Sequence, residues 1–112
     1  MRAETLADLS APLMTLRLLA AEFGHLPAPT VEVSTIYPER LEVSFHDDLT
    51  GFETWREALN IAPESVVHRV QAGGQTRVLR VHATFAGAAL MLTGFAEIPV
   101  VEPLLTGSGA VS

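Results

Sequence analysis

The sequence predicts an α+β domain in which an antiparallel sheet of about five strands carries two helices on one face, in the order α-β-β-α-β-β-β. Three observations lead there. Residues 11–24, "APLMTLRLLAAEFG", repeat their apolar positions at helical spacing; the chain then switches to two-residue alternation; and glycine pairs later divide it into short strands.

The first helix has Ser10 as its expected cap, Pro12 in its first turn and Gly24 as its stop. Leu13, Leu16, Leu19, Ala20 and Phe23 form the expected core stripe, while Thr15, Arg17 and Glu22 separate it from a second stripe of Met14, Leu18 and Ala21. Next, Val31 and Val33 alternate with Glu32 and Ser34, and Leu41, Val43 and Phe45 with Arg40, Glu42 and Ser44. "YPER", Tyr37 to Arg40, is turn material, so the pair reads as a hairpin. A helix follows in "LTGFETWREALN", with Phe52, Trp55 and Leu59 inward and Glu53, Arg56, Glu57 and Asn60 outward. Thr50 and Glu53 are its expected capping box. The turns at Gly73-Gly74 and Ala86-Gly87 then mark a three-strand meander near residues 65–71, 76–85 and 88–98. In this meander one residue more or less around Gly73 reverses the face that His68 occupies, so its neighbours stay open.

A chain of 112 residues supports one hydrophobic core, and residues 1–98 are expected to form that single domain. Residues 99–112, "PVVEPLLTGSGAVS", lack periodicity and are expected to be a flexible tail. The net charge of −6 argues against a nucleic-acid ligand, because phosphate contacts need clustered positive charge. Without cysteine there is no thiolate metal site and no cysteine nucleophile. The early acids Glu4 and Asp8, with Arg17 and Glu22 in the apolar run, fit neither a leader peptide nor a membrane span, which makes the cytoplasm the expected location.

The stretch "SFHDDLTGFETWREAL" invites a metal or catalytic reading of His46, Asp47 and Asp48. In an extended chain only His46 and Asp48 share a side, which is too few ligands for a closed metal site. Acids at a helix start are explained by the cap and the helix dipole, so no metal, cofactor or catalytic group is expected there. His68, Arg69, Arg77, Arg80 and His82 lie on adjacent strands and are either a basic patch for a carboxylate or phosphate or partners for Glu32 and Glu42 across the sheet. His46, His68, Arg80 and His82 are accordingly the candidate ligand-binding residues.

The run from Leu16 to Pro99, especially "VSTIYPERLEVSFHDDLTGFETWREALNI", resembles small actinobacterial proteins catalogued as hypothetical, which have no assigned activity. The resemblance implies a bacterial, cytoplasmic, stand-alone domain and no site residue.

The second stripe on the first helix and the apolar content of 48% point to a non-catalytic accessory or regulatory domain acting through protein contacts. Met14, Leu18 and Ala21 are the candidate surface, and a second copy or another protein is the expected partner. The competing reading is an anionic small molecule held between sheet and helices.

Overall fold

The computed structural model describes residues 2–71 and 73–98; the expected tail, 99–112, lies outside them. After a 3-10 turn at Leu6–Leu9 come α1 (Ser10–Glu22), β1 (Thr30–Val33), β2 (Arg40–His46), α2 (Leu49–Ala58), a 3-10 turn at Pro63–Ser65, β3 (Val67–Val70), β4 (Thr76–Phe85) and β5 (Ala88–Glu97). The five strands form one sheet in the order β1-β2-β5-β4-β3. Both expected antiparallel units form: β1 pairs with β2, and β3, β4 and β5 make the meander. They are joined by a parallel pairing, β2 with β5, which sets Leu41 beside Leu90 and Val43 beside Leu92.

Alternation along the strands sorts the side chains. Leu41, Val43 and Phe45 of β2, Leu90 and Leu92 of β5, and Leu79 and Val81 of β4 point to one face, where they pack with Leu19 of α1 and with Phe52 and Trp55 of α2. Trp55 is buried, and its indole N–H donates to the Pro27 carbonyl at 2.7 Å, while its ring lies 6.2 Å from that of Phe45. At Gly94 α2 packs close on the sheet: a Cβ there would stand 3.1 Å from Leu49 and 3.2 Å from Phe52.

The inward face of α1 differs from the expected stripe. Pro12, Thr15 and Leu19 are buried and Leu16 and Phe23 half-buried, whereas Leu13 and Ala20 face outward. Thr15 is completely enclosed because its hydroxyl donates to the Phe85 carbonyl at 3.1 Å, where β4 turns into β5. Phe23 meets the Phe85 ring edge-on at 6.1 Å, so both ends of this face are tied to one hairpin corner. Ser10 lies within the helix, and its hydroxyl donates to the Ala7 carbonyl at 2.6 Å, closing the preceding 3-10 turn. The β4–β5 corner itself has two residues with positive φ, Ala86 at 53° and Gly87 at 85°, the backbone of a tight primed turn.

Gly51 of α2 lies where a Cβ would come within 2.5 Å of the Asp48 carboxylate and 2.8 Å of the Phe45 ring. On an open helix Gly→Ala stabilises by up to about 1 kcal/mol. Overpacking against a fixed ring costs about 1–3 kcal/mol, so Gly51→Ala is expected to lower unfolding stability on balance. Urea denaturation checks the sign.

Candidate functional site

The segment from His46 to Asp48 is a corner between β2 and α2. His46 is exposed and stacks on Phe95, with centroids 4.9 Å apart and planes at 9°. Asp47 takes a left-handed conformation with φ 56°; its N–H donates to the Phe95 carbonyl at 2.6 Å, and its carboxylate accepts from the Glu97 N–H at 3.1 Å. Asp48 caps α2, its carboxylate accepting from the Gly51 N–H at 3.0 Å. Each of the three side chains thus has a structural use, and among the described residues no three His, Asp or Glu converge to hold a metal ion.

The helix cap is Asp48 and not Thr50, because α2 begins at Leu49, two residues earlier than the capping-box reading needs. Glu53 is turned away from the helix start: its carboxylate accepts from Arg56 at 2.9 and 2.7 Å. Arg56, expected on the outer face, is buried, and also donates to the Ile61 carbonyl at 2.6 Å where the chain leaves the helix. The hydrogen bond from Arg56 holds the Glu53 carboxyl below its ordinary value.

The five basic candidates are divided by the pleat. Register sets Val67 opposite Arg80, Arg69 opposite Val78, and His82 opposite Met91, so Arg69, Arg80 and His82 share the face that carries no helix among the described residues. They border a shallow cleft of about 220 Å³ with Val67 and Val78. His68 and Arg77 belong to the helix-bearing side. His46 is on the same side as Arg80, but on β2, with β5 between them. The cross-strand pairing expected with Glu32 and Glu42 is not made, because β5 separates β4 from the strands that carry those acids. Among the described residues Arg69 and Arg80 make no ion pair, while Glu42 is bridged at 3.3 Å by Arg40, two residues away on its own strand.

Met14, Leu18 and Ala21 lie on the outer side of α1. Met14 is 64% and Leu18 40% exposed, and Leu6, at 75%, and Leu13 extend the apolar area. Leu6, Leu13, Met14 and Arg17 line a broad open groove of about 520 Å³. Leu6 is held there by the 3-10 turn, whose Asp8 carboxylate accepts from the Glu4 and Thr5 N–H groups at 3.0 and 3.2 Å; those two bonds hold the Asp8 carboxyl below its ordinary value.

No family model matches this sequence, and no solved structure matches it. Similarity is found to neurotensin receptor type 2 of Rattus norvegicus, 33% identical over 67 residues, and of Mus musculus, 31% identical over 67 residues. The matched stretch is 60% of this chain and 16% of either receptor, so the similarity shows no family. Among the described residues no helix is long and apolar enough to cross a membrane.

Asp48→Ala is expected to cost about 1 kcal/mol, the usual cost of a lost N-cap, and Thr50→Ala less than about 0.5 kcal/mol. Chemical denaturation of the two variants checks the assignment. Because the folded Glu53 carboxyl lies below its ordinary value of 4.5, its contribution to stability is complete above that value and is lost as pH falls through the folded value. Glu53→Gln should therefore flatten the acid limb of a stability–pH curve and leave the curve's shape near neutrality unchanged.

Proposed function

We propose that this protein is a small non-catalytic interaction domain that works as a homodimer, as an accessory or regulatory partner in a bacterial cytoplasm. The observation that carries this reading is the one-sided helical cover of the sheet: among the described residues α1 and α2 lie over one face, and no helix lies over the other, whose middle holds buried Val78, Met91 and Thr93 and half-buried Phe95. A five-stranded layer is ordinarily covered on both sides or wetted by an evenly polar surface. The outer face of α1, with Leu6, Leu13, Met14 and Leu18, supports the same reading and offers room for another polypeptide. The corner at His46 supports it as well, since the Asp47 and Asp48 carboxylates there accept backbone N–H groups where the chain turns.

A second reading, an anionic small molecule at Arg69, Arg80 and His82, is favoured by the two arginines that have no acidic partner among the described residues. The cleft there, about 220 Å³, falls below the roughly 300 Å³ at which ligand pockets begin.

Sedimentation equilibrium tests the homodimer. The wild type should sediment at twice its 12.0 kDa chain mass at micromolar concentration, and a single-chain mass at every concentration would refute the reading. Leu18→Glu, on an exposed position, should keep the wild-type circular dichroism and lie within about 0.5 kcal/mol of its stability.

A further inference from the structure

We propose that the helix-free face of the sheet is a self-complementary surface that binds a second copy of this chain, about a twofold axis lying in the interface and running along β5. The inference rests on the homodimer reading above and names the surface that would carry it.

Charge is ordered across that face. Glu32 on β1 stands directly opposite Glu42 on β2, while Arg80 and His82 lie on β4 and Arg69 on β3. Between the two groups runs β5, with Met91, Thr93 and Phe95 on this side. Two carboxylates opposite each other repel, and Arg40 reaches only Glu42. The opposite half has two arginines without an acidic partner among the described residues. One half carries two acids with one arginine, the other two arginines with no acid, and β5 keeps the halves apart within one chain.

A twofold axis along β5 exchanges left and right while preserving height along the strands. The acidic half of one copy then covers the basic half of the other, with Glu42 level with the partner's His82 and two residues along the strand from the partner's Arg80, a diagonal that the arginine side chain can span. An axis in the interface but across the strands sets acid on acid, so charge selects the first arrangement. Two sheets stacked this way form an aligned sandwich about 10 Å thick. Five strands of up to ten residues present roughly 20 by 30 Å. That is about 600 Å², the low end of what each partner contributes to an ordinary stable interface.

Sedimentation equilibrium on charge-reversed full-length chains tests the proposal, with circular dichroism to confirm folding. Arg80→Glu and Glu42→Arg should each weaken self-association by about tenfold or more, because either places like charges across the axis twice. An equimolar mixture of the two variants should recover wild-type affinity, since both cross-axis pairs are then opposite in sign. Leu18→Glu, on the far side of the molecule, should associate like the wild type. A wild-type dimer that ignores both reversals and is split by Leu18→Glu would overturn this inference and move the interface to α1, leaving the homodimer reading in place. Reversals that weaken association but fail to rescue each other would overturn the twofold arrangement. A wild type that is monomeric throughout would overturn both readings.

Discussion

The parallel pairing of β2 with β5 is the constraint on which the rest of this molecule depends. It joins the N-terminal hairpin to the C-terminal meander and makes β5 the central strand, flanked by β2 and β4. On one side it lines up Leu41 with Leu90 and Val43 with Leu92, which builds the floor on which Leu19, Phe52 and Trp55 settle. On the other it inserts a neutral strip between acids and bases that would have met had β2 and β4 been neighbours. One topological fact thus closes the core and leaves an electrostatically divided surface.

The corner at Asp47 follows from the same pairing. β2 stops where Asp47 bonds to the carbonyl of Phe95 and the N–H of Glu97, and the change of direction brings Asp48 to the start of α2. The two aspartates thus both hold backbone N–H groups where the chain turns. Buried Arg56 acts likewise at the other end of the helix, where it ties Glu53 to the Ile61 carbonyl.

The strands and helices were legible in the sequence because period and turn residues are local properties: β4 and β5 lie within the expected segments, divided at Ala86-Gly87. The burial of Thr15 in place of Leu13 was not, since what matters there is the Phe85 carbonyl, brought in from the far end of the chain. Thr50 and Asp48 are both good caps, and the start of α2 at Leu49 decided between them. For the candidate ligand residues, types and strands were readable, but their division between faces came from the register after Gly73-Gly74. The separation of Arg80 from Glu42 needed the strand order, which no local pattern encodes.

The two kinds of pairing made by β5 also imply an order of events during folding. Its contact with β4 closes through a two-residue turn and can form within microseconds, the timescale of an isolated hairpin. Its contact with β2 joins segments on either side of α2, β3 and β4, and carries a far larger loop-closure penalty. Until that late step Leu90 and Leu92 stay without Leu41 and Val43 beside them. The nascent meander then has an unclaimed hydrogen-bonding edge beside an apolar strip, the combination that invites misassociation between chains.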